Sequence, residues 1–314
     1  MSSSDPRPTG HLVGRLTAAF VLDAIEMTRR GDPEVEDLLD NLILVATLQA
    51  NVAPLARDLG LQRTYGSRDS LPPDELRSQR AMSVNALANS LRLPHETVRR
   101  RILRLAALGR CVVTPNGVYI PQAVFSTPGY EAVSWGDYEL VRALFHRLRD
   151  LAILPPPAGS APPEGPPPVL AVVRALIDYV MRALDDVRKG AGDVMAAVIL
   201  LGILRANTEH LPDRPRRGAG APEDFIPDAD RRPVSAVSLA ARLGLPRETV
   251  RRHVARLADQ GECLRRPDGL VVPSDIHLRP GGVLFSPTNL ANLNRMFAGL
   301  DELGVLAAWE AERA

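Results

Sequence analysis

The sequence predicts a mainly α-helical chain in which one small helix–turn–helix–hairpin unit occurs twice in tandem. Each copy carries extra N-terminal helices, a small β-hairpin and a C-terminal helix. Three observations predict this. Ser235 to Pro273 has the apolar spacing of two short helices followed by a hairpin; Ser83 to Pro121 repeats it without a gap at an offset of 152; and a Pro-rich stretch, 154–168, lies between the two halves. Internal repetition of this kind decides the fold class before any single element does.

The later copy reads SAVSLAARLGLPRETVRRHVARLADQGECLRRPDGLVVP. Leu239, Leu243 and Leu245 are apolar around a short helix and a tight turn. Val250, Val254 and Leu257 recur at i, i+4 and i+7, one face of a second helix. Gly261 ends that helix, as a residue that adopts positive φ at low cost would. Pro267-Asp268-Gly269 between two short runs is a two-residue hairpin signal. Helix, three-residue turn, helix and hairpin are the outline of a winged helix-turn-helix.

The outer face of the second helix is charged. With Val250 at the origin and about 100 degrees per residue, Glu248 and Arg252 fall on the opposite side, beside Thr249 and Arg256, flanked by Arg247, Arg251 and His253. Such a face, presented by a turn, suits a DNA major groove: Arg pairs bidentately with guanine and Glu accepts from the cytosine amino group. The run RETVRR, Arg247 to Arg252, resembles the recognition helix of the cyclic-AMP receptor/Fnr superfamily, with its R-E-T-V-x-R signature. The turn and wing are also similar to GntR- and MarR-type winged helices. The resemblance covers about forty residues and implies base-edge contacts from Arg247, Glu248 and Arg252. Nothing in the chain resembles that superfamily's cyclic-nucleotide β-roll, so its effector does not carry over.

In the first copy, Leu93-Pro94 matches Leu245-Pro246, and Glu96-Thr97-Val98-Arg99-Arg100 matches Glu248 to Arg252. Arg104, Leu105, Gly109, Cys111, Pro115, Gly117 and Pro121 also have identical partners. The copies differ at the motif's edges. His95 stands where the second copy has Arg247, Leu103 replaces Ala255, and the wing run Val112-Val113-Thr114 replaces Leu264-Arg265-Arg266. The base-reading set expected across both copies is His95, Glu96, Arg100, Arg247, Glu248 and Arg252. The set expected to hold phosphates is Thr97, Arg99, Arg101, Arg104, Thr249, Arg251, His253, Arg256, Arg265 and Arg266.

The rest divides into a disordered tail (1–10), a first repeat (11–153), the linker (154–168) and a second repeat (169–314). His11 to Arg30 reads as a helix broken by Gly31-Asp32-Pro33, with Pro33 suited to starting the next, Glu34 to Asn51. Val169 to Lys189 and Asp193 to Asn207 are their counterparts; LILVATLQAN matches VILLGILRAN at an offset of 156. Residues 54–80 and 210–232 read as long loops, and Arg77, Arg80, Arg214, Arg216 and Arg217 could serve there as basic arms or as solvated inserts. Gly136 to Leu151 and Thr288 to Leu303 form the closing helices, with Phe145, Leu148, Phe297 and Leu300 inward and Trp135 and Trp309 in packing roles. LPPPAGSAPPEGPPP favours extended polyproline II, long enough at about 3.1 Å per residue to span roughly 45 Å.

At 314 residues two domains are expected, each with its own core, and 45% hydrophobic residues is ordinary for a globular chain. The Ala-, Leu-, Arg- and Pro-rich composition has a bacterial, GC-rich character. A net charge of +1 gives no global basic field, so local patches must carry any nucleic-acid binding, with the acidic stretch Asp32 to Asp40 offsetting them. Cys111 and Cys263, at equivalent positions, read as small buried hydrophobes. No metal-ligand spacing, phosphate-binding Gly loop or nucleophile constellation is present, and His11, His146, His210 and His277 are scattered, so neither an enzyme nor a cofactor is expected. No signal segment and no apolar run near 20 residues is read, so no membrane partner is expected and the location is cytoplasmic, with the nucleoid. The expected function is a transcription regulator that binds double-stranded DNA as a pseudo-dimer in one chain or as a homodimer, with RNA polymerase or another protein as a further partner. A plasmid- or phage-type replication initiator and a tandem winged-helix protein adaptor are the alternatives.

Overall fold

A computed structural model describes residues 10–158, 160–213, 226–278 and 287–313. Among these the chain forms fourteen α-helices and two separate two-stranded antiparallel hairpins. The tail expected at 1–10 lies outside the described residues apart from Gly10, as do Arg214, Arg216 and Arg217.

Two compact units emerge, and neither is a consecutive stretch. One holds most of the first repeat with the two ends of the second: residues 23–145, 156–182 and 293–314. The other holds most of the second repeat with the two ends of the first: residues 1–22, 146–155 and 183–292. The boundaries fall inside four helices, α1 (Gly10–Arg30), α8 (Pro128–Asp150), α9 (Val169–Ala191) and α13 (Pro287–Glu302).

In the first-repeat unit the central element is α2 (Leu38–Arg57). It starts later than Pro33 suggested, because the Asp37 side chain accepts from the amides of Leu39 (2.8 Å) and Asp40 (3.3 Å) and so caps the first turn. It continues through Pro54 to Arg57. By length and composition α2 could cross a membrane, which the sequence reading did not anticipate. It is instead a core helix whose buried face includes Asp40, Asn41 and Asn51, and it packs on its neighbours in the unit.

The expected loop 54–80 is built of structure as well. It contains the end of α2, then α3 (Leu59–Thr64) and α4 (Asp74–Ser78). Arg77 is fully buried (0% exposed), so it is no basic arm. Its guanidinium lies over the Phe125 ring and donates to the carbonyls of Ile120 (3.0 Å) and Pro72 (2.6 Å) and to Asp74 (2.6 Å). Arg80 stays exposed.

Next come α5 (Val84–Leu91), α6 (His95–Ala107), β1 (Val112–Thr114), β2 (Gly117–Tyr119) and α7 (Gln122–Phe125). Helix α8 starts at Pro128, eight residues before the expected Gly136. Phe145 on α8 meets Phe297 of α13 and Trp309 of α14 (Val305–Ala311), with ring centroids 5.9 and 5.7 Å apart, and Trp309 Nε1 donates to the Tyr138 hydroxyl (2.7 Å). The Pro-rich stretch is not helical, as its composition requires, but it does not act as a free spacer. Ala158 N donates to Asp301 Oδ2 (2.8 Å), and Leu170 N, just beyond the stretch, donates to the Gly66 carbonyl (2.7 Å). Gly304, at φ 74°, has no Cβ because one would collide with the Ala161 carbonyl.

The second-repeat unit has the same plan. Helix α10 (Val194–Thr208), capped by Asp193, is its apolar core helix. Against it pack α11 (Ala236–Leu243), α12 (Arg247–Asp259) and the hairpin of β3 (Leu264–Arg266) and β4 (Gly269–Val271). Arg15 of α1, buried, serves the C-terminal end of α10: it donates to the carbonyls of Thr208 (3.1 Å) and Leu211 (2.6 Å) and pairs with Asp213.

One polar device joins core helix to hairpin in both units. Asn51 Nδ2 donates to the carbonyls of Arg80 (2.9 Å) and Val118 (3.4 Å), and its Oδ1 accepts from Ile120 N (3.0 Å). Asn207 does the same with Arg232 (2.7 Å), Leu270 (3.0 Å) and Val272 N (2.9 Å). Asn207→Ala would strand a buried N–H and its carbonyl partners, so a loss of about 2–3 kcal/mol is expected in urea denaturation followed by circular dichroism. A loss below about 0.5 kcal/mol, the range of ordinary surface substitutions, would mean the amide does not hold the hairpin.

Candidate nucleic-acid interface

The second-repeat unit shows how its charged helix is presented. Ser235 caps α11 by accepting from Ser238 N (3.1 Å). Gly244 ends it in the left-handed region at φ 60°, and Leu245 N returns to the Ala240 carbonyl (3.0 Å). Pro246 then leads directly into α12. Val250, Val254 and Leu257 are buried against α10 and α11, so the opposite face, with Arg247, Glu248, Arg251 and Arg252, is exposed. The hairpin pairs Leu264 with Val271 and Arg266 with Gly269 around the two-residue turn Pro267-Asp268.

The first-repeat unit repeats this with Ser83 as cap and Arg92 in the left-handed position at φ 51°. Val98, Ile102 and Leu105 are buried, and Val112 pairs with Tyr119 around Pro115-Asn116. His95, Glu96, Arg99 and Arg100 occupy the exposed face.

On each outer face a Glu and an Arg three residues apart are joined in a bidentate pair. Arg99 Nε and Nη2 reach Glu96 at 2.8 and 2.9 Å; Arg251 reaches Glu248 at 2.7 and 2.7 Å. The arginine hydrogen bond holds each carboxyl below the usual glutamate range, and the carboxylate in turn raises the arginine. Fully solvated pairs of this kind contribute little stability, so a partner can open them. His95, Arg100, Arg247, Arg252 and Arg265 are exposed and form no salt bridge among the described residues. Thr97 and Thr249 are half-buried at the third position of their helices.

Several residues expected on phosphates are engaged inside the fold. Arg101 pairs with Asp37 (2.7 Å) and Asp40 (2.6 Å), and Arg104 pairs with Asp40, at the start of α2. Arg256 pairs with Asp193 (2.5 Å) at the equivalent end of α10. His253 is buried, not on the outer face: its Nδ1 lies 2.9 Å from Arg256 Nη2, and burial, with neighbouring Arg256 and Arg252, pushes it below the usual histidine range despite Asp193. Arg266 turns back to the Asp228 carbonyl and carboxylate, 3.3 Å each. Simple helical phase could not show this, because the acids that draw these arginines lie 38 to 64 residues away. The repeat carries part of the signal, since Asp37 and Asp193 correspond at offset 156 and Arg104 and Arg256 at 152, but Arg104 takes Asp40 where Arg256 takes Asp193.

The outer faces of the two copies are not alike. Leu103 (49% exposed) and Val113 (46%) are large apolar groups on the first copy's face and wing, where the second copy has Ala255 and Arg265. Cys111 and Cys263 are free and buried, their thiols near the Ile102 and Val254 carbonyls, and burial pushes both up to about 11. Among the described residues no cluster of His, Cys, Asp or Glu could hold a metal ion.

No protein-family model matches the chain, and it has no significant match among curated proteins or solved structures.

Glu248 should therefore titrate below an ordinary glutamate in a carboxyl carbon-13 NMR titration, and Arg251→Ala should return it upward, since the arginine hydrogen bond is the main cause. An unchanged Glu248 titration in that variant would show that the pair does not persist in solution.

Proposed function

We propose that the chain is a sequence-specific double-stranded DNA-binding regulator of transcription, in which two winged helix-turn-helix copies present α6 and α12 to the major groove. One observation carries the reading: two copies of a helix enter after a tight turn, bury their Val/Ile/Leu face and expose an Arg/Glu face beside a hairpin. Arg100, Arg247 and Arg252, exposed and outside any salt bridge among the described residues, are the side chains best placed to reach guanine edges. Glu96 and Glu248 would exchange their Arg partners for cytosine amino groups, freeing Arg99 and Arg251 for phosphates. Arg265 takes the wing role that Arg266 cannot, since Arg266 is held by Asp228.

A second reading is favoured for the first copy alone. Exposed Leu103 and Val113 suit a protein partner better than phosphates. RNA polymerase or another protein could contact this face while the second copy reads DNA.

Selection of bound duplexes from a random pool, with the intact protein and with Arg252→Ala, tests the proposal. Enrichment of related half-sites is expected, with Arg252→Ala costing about 1–3 kcal/mol and relaxing preference at one position. Arg265→Ala should weaken all duplexes alike and reduce the slope of binding against salt by about one. Equal losses on selected and scrambled duplexes for Arg252→Ala would remove the base-reading role. No enrichment at all would move the first copy's reading, a protein-binding surface, to the whole chain.

A further inference from the structure

The first-repeat unit has a half-open cavity of about 280 Å³ lined by the end of α1, α2, α8 and α9. Its wall is mostly apolar, with Val45, Leu48, Val133, Val173 and Ile177 among its members. The charged groups at one edge, Asp32 and Arg110, are matched to each other, and Arg110 also takes Glu34 (2.7 Å). Asp137 is different. It lines this cavity and a smaller void beside it, and it is only 3% exposed. Its Oδ1 has no hydrogen-bond partner among the described residues.

A buried carboxyl oxygen with no donor is costly, and buried polar atoms are nearly always satisfied. Asp137 is not required by the repeat: at the corresponding position the second copy has Asn289, which donates to Thr17 Oγ1 (2.9 Å). An acid thus replaces an amide where the unit has a cavity in front of it.

We propose that this cavity is a binding site for a small cationic amphiphile, a primary amine on an apolar body, with the ammonium on Asp137. The chemistry follows from what is missing. The wall supplies apolar surface and, in Asp137 Oδ1, a buried acceptor with no donor among the described residues, and the one cationic side chain among the described lining residues, Arg110, is already shared by two carboxylates. The complementary ligand brings hydrocarbon and one charged donor, the usual composition of ligand sites. Burial pushes the Asp137 carboxyl up to about 8, so it sits largely as the neutral acid when no cation faces it. An ammonium restores the carboxylate at close range beside a largely apolar wall. Size narrows the class: a cavity of roughly 150 Å³ holds one benzene, so this one suits about two fused rings. The inference does not rest on DNA binding.

The experiment is isothermal titration calorimetry on the full chain with three probes of one shape: 1-naphthylmethylamine, 1-naphthylmethanol and 1-naphthoic acid. The amine should bind about tenfold or more tighter than the alcohol, and the acid should show no binding. Asp137→Asn, isosteric with the neutral acid, should reduce amine affinity to within about twofold of the alcohol's while leaving the alcohol unchanged. Val45→Phe, which fills the cavity, should weaken amine and alcohol alike. Failure of the amine to bind the wild-type chain would overturn the proposal, as would an alcohol or acid that binds as tightly. So would an amine preference that survives in Asp137→Asn. The wild-type comparison of the three probes decides the matter even if a variant folds poorly.

Discussion

A two-stranded hairpin cannot satisfy its own backbone, and the structure depends on how that deficit is met. The inner strand β2 has a second edge beyond β1, and a buried strand edge with open N–H and C=O groups would be unstable. Three groups close it. Met82 and Val118 exchange both backbone hydrogen bonds, Asn51 takes Ile120 N and reaches the Val118 carbonyl, and Arg77 takes the Ile120 carbonyl. The second copy uses Val234, Asn207 and Arg231 on Leu270 and Val272 in the same way. Because Met82 passes so close, a Cβ at Gly117 would come within 2.7 Å of its backbone, and Gly269 stands in the same relation to Val234 at 2.8 Å. One side-chain amide thereby fixes core helix, hairpin and the approach to the next helix together.

The same anchoring sorts the arginines of α6 and α12 by direction. Those one step round the helix toward the core meet acids at the start of α2 or α10; those on the far side meet solvent. The copies differ here in a coupled way. Arg101 faces Asp40 in the first, whereas the second has His253 and Ala196 at the corresponding positions. Loss of the acid accompanies loss of the arginine, as expected where an unmatched buried charge would cost more than the pair contributes. Arg104 and Arg256 each pair with an acid at the start of the core helix, but not the equivalent one: Asp40 in the first copy and Asp193, the counterpart of Asp37, in the second.

Much of this was legible in the sequence, and what was not had a common cause. Val250, Val254 and Leu257 declare their face by spacing alone, and Pro115-Asn116 and Pro267-Asp268 declare their turns. These are local signals. The helix starts after Asp37 and not at Pro33 because the Asp37 side chain caps the first turn, a choice that apolar spacing does not mark. Arg77 reads as solvated by composition and is fully buried, because its partners are backbone carbonyls and a ring that leave no mark in a hydropathy pattern. Of the sixteen side chains expected on nucleic acid, the outward ones follow from phase, while Arg101, Arg104, His253, Arg256 and Arg266 were turned elsewhere by distant acids or burial. The grouping of α1, α8, α9 and α13 residues into two interleaved units is likewise a product of long-range packing.

Duplication removes the need for both copies to do the same work, and the substitutions between them are not spread evenly. Residues that close the strand edge are kept: Asn, Arg, Asp and Gly recur at each place. Outward residues are kept in part: Glu96, Arg99 and Arg100 match Glu248, Arg251 and Arg252, whereas Leu103 and Val113 replace Ala255 and Arg265, and His95 replaces Arg247. Leu103 and Val113 lie in the first copy, whose unit also holds Asp137 at the cavity wall in place of an amide, while the second copy has exposed Val237 where the first has Asn85. The second copy keeps the arginines of helix and wing on one open side. The copies therefore share an exposed Glu/Arg pair and differ around it: Arg247 and Arg265 stand in the second where His95 and Val113 stand in the first, and Asp137 lines a pocket where the second has Asn289.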